Sequence, residues 1–191
     1  RLSLEAPGTF HHSMVVGTLS EAAAKAIKAN PLLARVGSYY HDIGKMEKPE
    51  YFVENQMDSD NRHGKLSPNM SALVLSSHVK NGIEMAKRFG IPKSIRDFIP
   101  EHHGTNIMKY FYHKAREHAG DKDDINESDF RYPGPKPQSK ETAITMLADA
   151  VEAATRTVQN PTPTRLRAFV EGLVDQRFRD GELDECNLTF K

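Results

Sequence analysis

The sequence predicts an all-α protein of about eight helices, and three observations lead there. Apolar residues recur at three- and four-residue spacing through most of the chain. No stretch alternates apolar and polar residues as a half-buried strand would. The breaks between periodic segments fall at proline, glycine, asparagine and serine, residues that start and stop helices. At 191 residues the chain suits one domain with a substantial core, and no internal repeat divides it.

Residues 1–10 read as extended, with a turn at Pro7-Gly8 and Thr9 as the N-cap of a helix over about 11–29. Met14, Val15, Leu19, Ala22, Ala23 and Ala26 form the apolar stripe expected to face the core. Asn30-Pro31 breaks that helix, and a second, over about 31–42, carries Leu32, Leu33, Val36 and Tyr40 inward and delivers His41 and Asp42 at its end. Gly44 ends the run. Residues 46–69 read as a long polar loop with a short turn near Tyr51-Phe52, of a length usually associated with function. Ser67-Pro68 opens a helix over 69–79 that ends near His78, and Asn81 to Phe89 forms another, closed by Gly90. Pro92 starts the next, which runs to His102-His103 and turns at Gly104-Thr105. A helix over 106–118 follows. Residues 119–139 combine an acidic, solvated half with a proline-rich strap, RYPGPKPQSK. Ser139 and Thr142 then begin a helix with Ile144, Leu147, Ala148 and Val151 buried, and a last helix over about 163–179 presents Leu166, Phe169, Val170 and Leu173.

Lys plus Arg and Asp plus Glu each number 26, so the net charge is zero and no global basic field favours long nucleic acid. A local cluster can still hold a small anion. The single cysteine, Cys186, excludes an internal disulfide and a thiolate metal cage. No apolar run is long enough for a bilayer span, and no signal peptide is recognisable. The chain starts abruptly, about ten residues before its first candidate ligand, as a domain cut from a longer protein would. Oligomeric state is not legible in it.

Chemistry concentrates around Tyr40-His41-Asp42-Ile43-Gly44-Lys45. Neighbouring helical side chains point about 100° apart, so His41 approaches one metal while the two oxygens of Asp42 are able to bridge two. His12, His78, His102, His103 and Asp149 complete the set. Imidazole and carboxylate without sulfur suit Zn, Mn, Fe or Ni. A single ion would leave some donors idle, whereas two ions sharing Asp42 use all seven. The first takes His12, His41, Asp42 and Asp149; the second takes Asp42, His78, His102 and His103. Asp149, inside an apolar helical run, needs a metal or a basic partner. Lys45 and Arg156 are candidates for neutralising phosphate oxygens. Tyr110 and Arg131 are candidates for contacting a ligand, against core packing for the first and a surface strap for the second, a choice that also applies to Tyr132. His11 competes with His12 as the ligand, Lys45 could instead be a solvated lysine, and His63, His113 and His118 read as solvated.

The pattern His12, His41-Asp42 and Asp149 resembles the HD superfamily of metal-dependent phosphohydrolases. His78 and His102-His103 resemble its two-metal branch, which includes the HD-GYP cyclic-di-GMP phosphodiesterases. The wording is most similar to the intracellular HD domain of seven-transmembrane, PgpH-type phosphodiesterases. It is carried by PGTFHHS (7–13), YYHDIGK (39–45), ENQ (54–56), LSP (66–68), SHVKNG (77–82), EHHGT (101–105), YFYHKA (110–115) and LADAVEAATR (147–156), nearly the whole chain. The resemblance implies an HD helical bundle around a two-metal site, with iron or manganese as cofactor and cyclic-di-AMP as substrate, hydrolysed to linear pApA. It also implies a bacterial protein, held at the cytoplasmic face of the membrane by segments outside this chain. Gly104-Thr105 stands where the GYP motif would follow, which lowers the cyclic-di-GMP reading. A hydrolase of a further nucleotide such as an alarmone, and a non-catalytic nucleotide sensor, compete with the cyclic-di-AMP phosphodiesterase.

Overall fold

Four of the long helices begin with proline in the first turn, where its missing N–H costs nothing and its fixed φ favours the helix. Three of these are also capped by a side chain: Asn30, Ser67 and Thr162 accept from the backbone N–H three residues on. The computed structural model describes residues 1–56, 61–119 and 125–189. In order the helices are α1 (Leu2–Glu5), α2 (Pro7–Ala26), α3 (Pro31–Tyr40), α4 (Pro68–Arg88), α5 (Lys93–Arg96), α6 (Phe98–Glu101), α7 (Lys109–Ala119), α8 (Lys140–Thr155) and α9 (Pro163–Arg179). Among the described residues no strand forms; Ile107 and Arg131 make an isolated antiparallel bridge. Among them, too, no helix is long and apolar enough to cross a membrane.

The all-α class and the helix count match expectation, but the faces and several boundaries differ. Residues 1–10 are helical, not extended, and Thr9 is a buried residue within α2 rather than its cap. Helix α2 buries Thr9, His12, Ser13, Val16, Gly17, Ser20 and Ala24, while Met14 and Leu19 are 37% and 40% exposed. The expected apolar stripe therefore faces largely outward. The inner face is small and polar because α2 packs closely on α3 and α8, where Ser38 Oγ donates to Ser20 Oγ at 3.1 Å and lies 3.0 Å from Thr145 Oγ1. Helix α3 likewise buries Ala34, Gly37 and Ser38, and leaves Leu32 69% exposed.

The expected break near residue 80 is absent. Helix α4 is continuous, so His78 sits inside it with a full turn of helix on either side. The long loop is a series of 3₁₀ turns (Ile43–Glu47, Pro49–Tyr51, Val53–Asn55 and Arg62–Lys65) around residues 57–60, which lie outside the described set. The first of these turns packs against α4, and a Cβ on Gly44 would collide with the His78 carbonyl. That close approach is what places Asp42 beside His78. The helix expected over 106–118 starts later, at Lys109. Part of the acidic half of 119–139, residues 120–124, also lies outside the described set. Helix α8 starts with the capping box read from Ser139 and Thr142.

Candidate metal centre

Five histidines and two aspartates converge from separate parts of the chain: His12 from α2, His41 and Asp42 from the end of α3, His78 from α4, and His102 and His103 from just past α6, with Asp149 from α8. Asp42 is 1% exposed and its two oxygens face different partners. Oδ2 lies 3.2 Å from His41 Nε2 and 3.6 Å from His12 Nε2. Oδ1 lies 3.4 Å from His78 Nε2 and 3.5 Å from His102 Nε2. Asp149 Oδ1 is 3.0 Å from His12 Nε2, and its Oδ2 is 3.8 Å from His103 Nδ1.

Local helical geometry aims these rings. His41, His78 and His102 donate through Nδ1–H to the carbonyls of Ser38 (2.6 Å), Leu75 (2.6 Å) and Ile99 (2.8 Å), each three residues earlier. A carbonyl only accepts, so Nδ1 carries a proton and Nε2 is the nitrogen turned toward the cluster. His12 Nδ1 instead meets Glu152 Oε2 at 2.5 Å. Metal-ligating histidines are held this way, by a carbonyl or carboxylate on the second nitrogen. The buried atoms without a hydrogen-bond partner include His41 Nε2 and Asp42 Oδ1. Orphaned polar atoms that share one small volume are costly unless a cation satisfies them. The donor set therefore fits divalent metal: Asp42, His78, His102 and His103 form one group, His12, His41 and Asp42 another, and His41, His102 and Asp149 a third that straddles them, with the ligand atoms within each group lying within 4.8 Å of one another.

The electrostatics divide the centre. Burial disfavours charge on His12, yet the Asp149 and Glu152 carboxylates overcome it and raise its pKa to about 10. Burial lowers His78 to about 4, and burial with the neighbouring His102 and His78 holds His103 well below its ordinary value. Burial opposes ionisation of Asp42, but His41 and Lys45 hold its pKa far down. Burial likewise opposes the charge of Asp149, which His12 lowers strongly. Lys45 Nζ donates to Asp42 Oδ2 at 2.7 Å and to Glu54 Oε1 at 2.8 Å, 5.0 Å from the Phe52 ring centre. Against burial, those carboxylates raise its pKa and keep it cationic.

A cleft of about 700 Å³ opens over this centre and is lined by His12, Lys45, His103, Asp149, Tyr110, Arg156, Lys114 and Tyr132 among others. Of the candidate substrate contacts, Lys45, Tyr110 and Arg156 border it. Arg156 also pairs with Glu152, at 3.0 Å from Nε to Oε1. Arg131 is not among the cleft's lining residues; its guanidinium donates to Glu127 and to the Thr105 carbonyl at 2.9 Å, so it fastens the strap to the loop after His103. His11 is exposed while His12 is buried in the cluster. His113 and His118 are exposed, but His63 is buried and not solvated, its Nε2–H donating to the Tyr51 carbonyl at 2.9 Å.

Sequence reasoning assigned no role to Glu152 or Glu54, while Tyr132, read as bordering a ligand or strapping the surface, lines the cleft. Glu152 carried a legible signal, lying one turn past Asp149 and one turn before Arg156. Glu54 stands in the ENQ stretch that carries the resemblance, but its partners were not legible, because its bonds to Lys45 and to Thr9 Oγ1 (3.0 Å) depend on how the loop folds back on α2. There a Cβ on Gly8 would strike the Glu54 carbonyl, which ties PGT to ENQ.

The HD domain family model matches residues 9–154, which hold every one of the seven converging side chains. The cyclic-di-AMP phosphodiesterase PgpH of Bacillus subtilis (strain 168) is 51% identical over all 191 residues. The PgpH of Listeria monocytogenes is 47% identical over the same length. The chain covers 26% of each of these relatives, about a quarter of their length. It also resembles the crystal structure of the L. monocytogenes phosphodiesterase PgpH HD domain in complex with cyclic-di-AMP. The TM-score is 0.94 at 47% identity, over 99% of this chain and 87% of that one. The family match spans well over half of the sequence, and the chain belongs to the HD domain family.

Proposed function

We propose that this chain is a two-metal phosphodiesterase that opens cyclic-di-AMP to linear 5′-pApA, with iron or manganese as its ions. The observation that carries the reading is the division of Asp42: one oxygen faces His12 and His41, the other His78 and His102. His12, His41, Asp42 and Asp149 would hold the first ion, and Asp42, His78, His102 and His103 the second. When bound, such a pair supplies Lewis-acid stabilisation of phosphate charge and a nucleophile at neutral pH.

The remaining work belongs to the chain's own residues. Asp42 and Asp149, both held ionised, offset the charge of the ions. Lys45, fixed between Asp42 and Glu54, stabilises negative charge developing on the phosphate oxygens. Arg156 and Tyr110 border the cleft where the nucleotide arms would lie. Water adds at one phosphorus and the ribose 3′-oxygen leaves, so the product keeps a 5′-phosphate. The local cations explain how a chain of zero net charge takes a dianion. The substrate assignment draws on the names of the two PgpH relatives and on the L. monocytogenes complex with cyclic-di-AMP. The greater length of those relatives supports a larger protein around this single domain, and the proposal extends to a place at the cytoplasmic face of a bacterial membrane.

The test is to incubate the domain with manganese or ferrous iron and each cyclic dinucleotide, then separate the products. Linear pApA, formed faster than the product of cyclic-di-GMP, is expected. Faster hydrolysis of cyclic-di-GMP overturns the substrate. Binding without product supports a sensor instead, and turnover that survives exhaustive chelation overturns the metal requirement.

A further inference from the structure

Four of the five clustered histidines have Nδ1 engaged by a fixed acceptor: Glu152 for His12, and backbone carbonyls for His41, His78 and His102. His103 differs. The nearest carboxylate oxygen to its Nδ1 is Asp149 Oδ2 at 3.8 Å, beyond hydrogen-bond range. Three rings lie against it: His102, tilted by 44° with centres 3.9 Å apart, His78, edge-on at 5.1 Å, and Tyr132, which comes from outside the ligand set and stacks with centres 4.0 Å apart and planes 21° from parallel. From this contrast we infer that Tyr132 is a positioning residue for His103, taking the place of the missing hydrogen bond and so setting the affinity of the second ion. The inference rests on the proposal of two ions sharing Asp42.

The surroundings are built to hold that stack. Asn106 serves both partners: its side-chain amide donates to the His103 carbonyl at 2.7 Å, and its own carbonyl accepts from the Tyr132 N–H at 3.0 Å. On either side, Arg131 donates to the Thr105 carbonyl at 2.9 Å, and Met108 N–H donates to the Phe130 carbonyl at 2.8 Å. The strap and His103 are therefore referenced to one short loop, and the two rings have little freedom to slide apart. An imidazole that ligates a cation becomes electron-poor, and an electron-rich phenol face favours such a ring. The cost of losing an orienting partner at a metal ligand is typically about 10–100-fold in affinity.

The experiment titrates the metal-free domain with Mn2+ and reads free manganese by electron paramagnetic resonance and bound metal by elemental analysis. The variants are Tyr132→Phe, Tyr132→Leu and Tyr132→Ala, with thermal unfolding measured alongside. Tyr132→Phe is expected to bind both ions as the parent does. Tyr132→Leu and Tyr132→Ala are expected to keep the first ion and bind the second about tenfold more weakly or worse. If Tyr132→Ala fails to fold, Tyr132→Leu, which refills most of the volume without a π face, decides the matter. Parent-like affinity for both ions in Tyr132→Leu overturns the inference and leaves the two-ion proposal standing, as does an equal loss of both ions. A parent domain that takes up a single ion overturns both together.

Discussion

The two halves of the metal centre use the same kind of ring under opposite electrostatics. On one side His12 lies between two carboxylates, Asp149 and Glu152, and retains a proton up to a pKa of about 10. On the other, His78, His102 and His103 crowd one another, with Asp42 Oδ1 3.4–3.5 Å from two of them and Asp149 Oδ2 3.8 Å from the third, and His78 is driven down to about 4. Ligand identity alone therefore does not set how a site responds. The carboxylate-rich half holds a proton on His12 that a bound metal would have to displace, while burial in the other half keeps protons off His78 and His103. Asp42 belongs to both.

The largest effect expected of a residue outside the ligand set is at Lys45. Lys45→Met should lower turnover about 100-fold or more while both halves keep their metal, because a single contact to developing phosphate charge is worth that much. Steady-state kinetics with parallel elemental analysis checks it; parent-like turnover returns Lys45 to a structural pairing with Glu54. Next comes Glu152→Ala, which removes the acceptor from His12 Nδ1. The first ion should bind about 10–100-fold more weakly and the second as before. A manganese titration that finds both affinities lowered alike would erase the distinction between the halves.

The halves should also separate by pH. His12 is raised above its ordinary value, so its proton competes with metal at any pH below about 10. Affinity for the first ion should therefore fall about tenfold per unit as pH drops through the neutral range. His78 and His103 are depressed and offer no such competition, so affinity for the second ion should fall less steeply than affinity for the first over the same range. Without metal, the raised His12 stabilises the fold fully below its unfolded value of 6.5, and that contribution fades as pH rises through about 10. Titrations in buffers of differing ionisation enthalpy would read the released proton directly. The smallest effect belongs to Arg131. Arg131→Lys should leave turnover and metal content close to the parent's, because its partners are Glu127 and a backbone carbonyl rather than groups in the cleft.

What was legible in the sequence follows the same division between local and long-range causes. The helix starts read at Asn30-Pro31, Ser67-Pro68 and Ser139 rest on local chemistry, and the structure caps each there, whereas Thr9, read as a cap, lies inside α2. The seven candidate ligands were legible because imidazole and carboxylate in that number have few other uses, and they lie together. The facing of α2 was not legible. Two overlapping stripes satisfy helical periodicity, and the small polar one faces in because Ser20 meets Ser38 and α3 lies close. The break expected near residue 80, between a helix ending near His78 and one starting at Asn81, is absent because α4 runs through it without interruption. His63 was read as solvated because its sequence neighbours are polar, yet its ring packs between Tyr51 and Phe111.

The central claim is that one carboxylate, Asp42, serves both halves, and metal content in its alanine variant tests it most directly. Elemental analysis of the purified, manganese-loaded domain should find about two ions per chain in the parent. In His78→Ala it should find loss mainly from the second site, and in Asp42→Ala depletion of both. Asp42→Ala that retains two ions, or loses only one, would contradict the shared carboxylate and with it the account of the centre.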